Sequence, residues 1–275
     1  MSRKRSLHTR FKGSHGHLLD GRVDLPDADD APRLFALFAH CFTCNKQYLA
    51  ISRISQALAR HGIAVLRFDF TGLGASQGDF SHTTFSSNVE DVLAAADYLR
   101  RHYQAPGLLI GQSLGGAAVL AAAPAIPESR VVATVAAPSR PGQILDHLAH
   151  VADTIARTGA APVAIGNETF TLRRAFLQDV AGYDLEPGIR DLDRALLVFQ
   201  SPTDPVVPRV HAERLVGWAS QPKALIELDG ADHLLTSRDD AQLVADMTAA
   251  WASRYAMTDW GVGGTERRRG QGKGG

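Results

Sequence analysis

Only two cysteines, three methionines and three tryptophans occur among the 275 residues. So little cysteine excludes a disulfide-framed scaffold. Lysine and arginine total 29, as do aspartate and glutamate, so no overall excess of one sign gathers nucleic acid or an anionic membrane. No run approaches the ~18 consecutive apolar residues that mark a membrane-spanning helix. With 45% hydrophobic and 21% charged residues, the composition supports a sizeable core and excludes disorder or a collagen-like chain as a description of the whole.

The charges are unevenly placed. Arg3, Lys4, Arg5, Arg10 and Lys12 make a basic start, and Arg267, Arg268, Arg269 and Lys273 sit in a glycine-rich end. No apolar segment follows the basic start as an export signal requires, so the expected location is the cytoplasm. Residues 1–12 read as a flexible basic N-terminus. Residues 13–258 read as one domain, and 259–275, with almost nothing to bury, as a disordered tail.

Cys41 and Cys44 have the C-x-x-C spacing of redox and zinc motifs. A structural zinc site needs four ligands, and neither a second C-x-x-C nor a close histidine pair completes one. The expectation is two small thiols in the turn after a buried strand, with no redox or metal role.

Short apolar runs at 34–39, 63–68, 108–111, 131–136, 196–200 and 224–228 read as buried strands. Helical patterns at 48–61, 87–102, 114–123, 210–219 and 239–255 alternate with them. This rhythm predicts an α/β fold, a three-layer sandwich around a mostly parallel sheet. Residues 8–12 and 17–24 read as an antiparallel N-terminal strand pair at one sheet edge. The rhythm breaks at 141–187, a helical or irregular stretch too long for an ordinary connection, which reads as a small cap insertion. Inside it, 170–177 reads as a helix that forms a lid or an ordinary surface element, with Phe170 and Phe176 as pocket-wall candidates.

The strongest chemical signal is Gly111-Gln112-Ser113-Leu114-Gly115-Gly116, directly between an apolar strand and a helix-forming run. A serine on such a strand-turn-helix elbow needs small residues two before and two after it, and Gly111 and Gly115 supply them. The Leu114 amide, at the helix N-terminus, then faces a developing oxyanion. Serine is a weak nucleophile at neutral pH and requires a histidine base oriented by an acid.

Among eleven histidines, His233 lies in Asp229-Gly-Ala-Asp-His233, after the last strand and before the last helix. Asp204, in the proline-stiffened Ser201-Pro-Thr-Asp-Pro-Val-Val-Pro208, follows the strand at 196–200 and is the preferred acid. Asp232 is the next candidate; the position after the strand at 131–136 offers only Pro138 and Ser139. After the strand at 34–39 comes His40-Cys41-Phe42, where the Phe42 amide is the second oxyanion donor and His40 a structural hydrogen-bonding residue. The stretch Gly72-Leu-Gly-Ala-Ser-Gln-Gly78 departs from the dinucleotide fingerprint, because its third glycine comes one residue late and no helix follows directly. A tight turn flanking the site is expected instead.

With Ser113 in its elbow, Asp204, His233, His40-Cys-Phe42 and Phe68-Asp-Phe-Thr-Gly-Leu-Gly-Ala-Ser76, the chain resembles the α/β-hydrolase superfamily over about residues 15–255. Phe38-Ala-His-Cys-Phe-Thr-Cys44, Arg67-Phe-Asp-Phe-Thr-Gly-Leu-Gly74 and Phe85-Ser-Ser-Asn88 resemble more closely the hydrolase part of bacterial proteins fused to an OsmC-type peroxide-handling domain, a domain this sequence lacks. The resemblance implies a serine hydrolase acting on carboxylic esters or related small acyl compounds through an acyl-enzyme, without metal or cofactor. Aminopeptidase, thioesterase and perhydrolase chemistry are alternatives on the same residues. A non-catalytic interaction module of the same fold and an accessory role in peroxide defence are others. Nucleic acid and membrane are not expected partners, and nothing bears on oligomeric state.

Overall fold

The computed structural model describes residues 5–27, 31–165 and 168–257. In chain order its elements are β1 (Arg5–Lys12), β2 (Leu18–Leu25), β3 (Leu34–Ala39), α1 (Leu49–Arg60), β4 (Ile63–Phe68), α2 (Phe85–His102), β5 (Leu108–Gln112), α3 (Leu114–Ala122) and β6 (Val131–Val135). Then follow α4 (Ile144–Thr158), β7 (Ala160–Ile165), β8 (Glu168–Arg173), α5 (Arg174–Gly182), α6 (Glu186–Arg190), β9 (Ala195–Gln200), α7 (Val210–Trp218), β10 (Lys223–Glu227) and α8 (Arg238–Tyr255).

Eight strands form one sheet in the order β1-β2-β4-β3-β5-β6-β9-β10. From β4 to β10 neighbouring strands are parallel, and β2 joins antiparallel to β4 and β1. The period of two along each strand divides the core. Leu34, Ala36 and Phe38 of β3 pack with Ile51, Ile54 and Leu58 of α1 and Val244 of α8. Phe35, Leu37 and Ala39 face the other way, toward Val92 and Leu99 of α2 and Val119 of α3. The α/β three-layer sandwich with its antiparallel N-terminal pair is therefore as expected.

Local chemistry places the helix starts. Thr84 and Ser87 form a reciprocal capping box, which starts α2 at Phe85, two residues before the start read from its apolar pattern. Ser237 accepts the amides of Asp239 and Asp240, the two acidic residues in the first turn of α8.

Two expectations need correction. Residues 5–12 are not a flexible start: they form β1, paired residue by residue with β2 from Arg5↔Leu25 to Lys12↔Leu18. Phe11 anchors the strand by stacking on Tyr98 at 4.9 Å between centroids and meeting the edge of Phe68 at 5.9 Å. Residues 1–4 and the tail at 259–275 lie outside the described residues. Within 141–187 the expected helical or irregular cap contains an antiparallel hairpin, β7-β8, between α4 and α5. Phe170 consequently lies on a strand rather than on a helix with Phe176. Thr169, Phe170, Thr171 and Leu172 favour a pleated strand, with Leu172 turned into the core.

Candidate active site

Ser113 stands at the turn from β5 into α3 with φ 53° and ψ −127°, a backbone conformation that non-glycine residues rarely adopt. Close packing around it explains the neighbouring glycines. A Cβ on Gly111 would come within 2.4 Å of the Gly115 carbonyl oxygen, and one on Gly116 within 2.6 Å of the Ala137 Cβ. The Ser113 amide donates to the Val135 carbonyl at 2.8 Å, fastening the elbow to β6.

The structure brings the three candidate side chains together from three strand ends. His233 Nε2 lies 3.1 Å from Ser113 Oγ, and His233 Nδ1 lies 2.8 Å from Asp204 Oδ2. The tautomer that satisfies both contacts has Nδ1–H donating to the carboxylate and Nε2 accepting from the serine hydroxyl. Asp204 Oδ1 accepts the amides of Val206 and Val207 at 2.8 and 3.0 Å. Burial raises the Asp204 carboxyl, but its hydrogen bond to His233, the imidazole's charge and these two amides outweigh burial and hold it below the usual carboxylate range. Gln200 Nε2 donates to the Val207 carbonyl at 2.9 Å and steadies the acid's loop, while Gln112 Nε2 donates to the His233 carbonyl at 3.1 Å.

The side chains at the two rival positions are occupied elsewhere. Asp232 Oδ1 accepts the amides of Leu234 and Thr236, each at 3.0 Å, and so organises its own loop. Ser139 bonds His211, at 3.1 Å through its amide and 3.0 Å through its hydroxyl.

Neither the Phe42 nor the Leu114 amide donates to another described residue. The Phe42 loop is held at both ends. His40 is fully buried; its Nδ1–H donates to the Cys41 carbonyl at 2.8 Å and its Nε2 accepts the Phe70 amide at 3.2 Å. Burial keeps this imidazole below its ordinary range, consistent with a neutral ring in that bonding pattern. At the other end the buried Lys46 ammonium pairs with Asp69 at 2.5 Å and Asp20 at 2.6 Å. The Lys46 amide also donates to Asp69 at 2.6 Å.

Between these anchors Cys41 and Cys44 are joined as a disulfide, which overturns the expectation of two thiols. A four-residue turn, closed by the Cys44 amide on the Cys41 carbonyl at 3.1 Å, brings the two side chains together.

A cavity of about 670 Å³ opens over Ser113 and His233. Its apolar walls include Phe42, Leu114, Ile144, Leu148, Val163, Ile165 and Val207, and the disulfide forms part of one side. The cap thus supplies α4 and β7 to the wall. Phe170 and Phe176 are not among the lining residues: Phe176 stacks behind Phe42 at 5.2 Å and Phe170 meets Phe80 at 5.1 Å. Leu148, Val163 and the disulfide are the features that sequence reading missed, and only the apolar spacing along 144–155 pointed toward the first. The glycine stretch at 72–78 forms a tight turn as expected, with Gly72, Gly74 and Gly78 at positive φ. Among the described residues, no group of three or more His, Cys, Asp or Glu side chains could hold a metal ion, and no helix is long and apolar enough to cross a membrane.

An eight-stranded, mostly parallel sheet with a serine elbow at its centre defines a class, and residues 36–247 match the model of the alpha/beta hydrolase family. The chain belongs to that family. It is 41% identical to the esterase domain of a Rhodothermus marinus protein, with a TM-score of 0.74 over 92% of this chain and 99% of that one. The human mitochondrial palmitoyl-protein thioesterase ABHD10 is 40% identical over 87 residues, 32% of this chain and 26% of that protein. The match therefore spans about a quarter of the length of that curated relative. Mouse ABHD10 has the same fold, with a TM-score of 0.73 and 18% identity over 90% of this chain and 99% of that one.

Proposed function

We propose that the protein is a serine hydrolase that cleaves a carboxylic ester or related acyl compound through an acyl-enzyme. Ser113 attacks the acyl carbon. His233 takes the serine proton and returns it to the leaving group, and Asp204 holds the imidazole in the tautomer the first step needs. The amides of Leu114 and Phe42 receive the oxyanion. Water then repeats the sequence on the acyl-enzyme, and no metal or cofactor enters any step.

The single observation that carries this reading is the chain of contacts Asp204–His233–Ser113, at 2.8 and 3.1 Å, at the floor of an apolar cavity. The similarity to an esterase domain at 41% identity supports an oxygen ester as substrate. A thioester is the second reading, favoured by the stretch shared with ABHD10. We place the protein in the cytoplasm, with a small acyl compound rather than nucleic acid or membrane as its partner. The likeness to the hydrolase part of OsmC-type fusions adds one expectation, sensitivity of a deletion strain to organic peroxide.

Labelling with a fluorophosphonate followed by peptide mapping tests the reading. Modification of the Ser113 peptide is expected, and an unlabelled Ser113 in folded protein contradicts it. Matched oxygen esters and thioesters of one acyl chain then separate the two substrate classes by kcat/KM.

A further inference from the structure

A second cavity, of about 590 Å³, borders the one over Ser113 and has no task in the acyl-transfer reading. Gln143 lines both, with its side-chain amide donating to the Val206 carbonyl at 2.9 Å. The volume is in the range of small-molecule sites. Three parts of the chain meet there. The turn ahead of α4 brings Arg140, the α5–α6 junction brings Tyr183, and α7 brings His211 and Arg214, three residues apart and so on one face of the helix.

These four side chains share a donor without a protein acceptor. His211 is only 6% exposed, yet one of its ring nitrogens is unused. Its Nδ1 lies 3.1 Å from the Ser139 amide, and because an amide only donates, Nδ1 accepts and the ring proton sits on Nε2. Burial, helped by the charges of Arg214 and Arg140, keeps this imidazole below its ordinary range, consistent with that neutral form. The Nε2–H bonds no described residue. Tyr183 meets Phe85 edge to face at 4.6 Å between ring centroids, and its hydroxyl likewise bonds no described residue. Burial and the Asp179 charge push this phenol up, so its O–H stays a donor. Arg140 and Arg214 form no ion pair with the described residues. Sheltered donors normally find an acceptor, and two guanidiniums with an imidazole N–H and a phenol O–H are the set that carboxylate and phosphate oxygens fit.

The acids on the same wall limit the size of such a ligand. Glu186 is spent on Arg190 at 2.6 Å, and Asp184 accepts the Glu186 amide at 3.0 Å. Asp146, exposed in the first turn of α4, completes the acidic part. None of the three pairs with Arg140 or Arg214. An extended polyanion would run against these carboxylates, whereas a single small group reaches the donors without meeting them.

From this arrangement we propose that the cavity framed by α4, the α5–α6 junction and α7 is a binding site for a small oxyanion, a carboxylate or phosphate. Arg140 and Arg214 supply the charge, and His211 Nε2–H and the Tyr183 hydroxyl supply neutral hydrogen bonds. No covalent step is involved, and the site stands independently of the role of Ser113.

The test titrates the full chain by calorimetry with inorganic phosphate and, separately, with succinate, in a Tris–chloride buffer at constant ionic strength. The expected result is saturable 1:1 binding of at least one of them with Kd below about 1 mM. Binding of one alone identifies the oxyanion, and binding of both identifies the chemistry they share. Arg140→Gln and Arg214→Gln should each weaken binding about tenfold, and Tyr183→Phe by about threefold to tenfold. Arg238→Gln, which removes the same charge from an exposed position outside the cavity, should change Kd less than about twofold. Melting curves report whether each variant folds, and Tyr183→Phe, which removes only a hydroxyl, keeps the proposal open to contradiction if an arginine variant does not. Failure of both anions to bind with Kd below about 1 mM overturns the proposal. So does binding that survives Arg140→Gln combined with Arg214→Gln, or an equal loss in Arg238→Gln.

Discussion

Gly115 lies so close beneath His40 that a Cβ on it would come within 2.2 Å of the His40 carbonyl oxygen. The Ser113 elbow and the loop that presents Phe42 are thus packed backbone against backbone, and one glycine sets their separation. Gly115→Ala should push the two apart. The expected cost is about 1–3 kcal/mol of stability, typical of overpacking, together with a kcat loss larger than any change in KM. Urea unfolding and steady-state kinetics on one ester check both.

Asp204 is the buried partner of His233 and also accepts two amides of its own loop. Asp204→Asn keeps the shape but replaces one acceptor with a donor, which favours the wrong imidazole tautomer. By analogy with serine proteases kcat should fall by ~10⁴-fold with the fold retained. Asp232→Asn, which touches only its own loop, should lower kcat far less, and the ratio of the two effects identifies the acid.

The cap separates into wall and backing. Leu148 lines the cavity, whereas Phe176 supports Phe42 from behind. Leu148→Ala should therefore shift kcat/KM between short and medium acyl chains, with about 1–3 kcal/mol of discrimination per methylene at stake. Phe176→Ala should lower kcat for all chain lengths alike and cost about 3–5 kcal/mol of stability, as buried aromatic truncations do. A chain-length series of p-nitrophenyl esters distinguishes the two patterns.

The sheet and the three candidate side chains were legible because their signals are local. Continuous apolar runs mark strands buried on both faces, Gly111 reflects a clash with Gly115 and Gly116 visible within six residues, and Asp204 and His233 lie in the loops that follow strand ends. What escaped depends on contacts between distant segments or on spacings that serve several geometries. Nothing in 160–173 alone says that its alternation pairs as a hairpin, and Phe170 and Phe176 look alike until one is seen to back Phe42. Cys41 and Cys44 read as free thiols because three residues of separation suit a metal site, a redox pair or neither. The turn that brings them together is specified by His40, Lys46 and Asp69, of which Asp69 lies on a different strand end.

The buried charge cluster beneath the Phe42 loop predicts a specific pH response. Burial raises the Asp20 carboxyl, but Lys46, His8 and Arg10 outweigh it and bring it down from 3.8 to about 2. A depressed folded-state value stabilises the fold above the unfolded value, and that contribution is lost as pH falls from about 4 toward about 2. The shift corresponds to on the order of 2 kcal/mol. Asp20→Asn should thus cost more stability at pH 6 than at pH 3, as read by urea unfolding at both.

In the proposed reaction Ser113 carries the acyl group between its two halves. Rapid mixing with a p-nitrophenyl ester, acid quenching and peptide mass spectrometry test it most directly. The expected result is a burst of p-nitrophenol matching the enzyme concentration if deacylation limits turnover, an acyl mass on the Ser113 peptide, and loss of both in Ser113→Ala, whose kcat should fall by ~10⁶-fold. An acyl group found on any other residue, or undiminished turnover by Ser113→Ala, would contradict it.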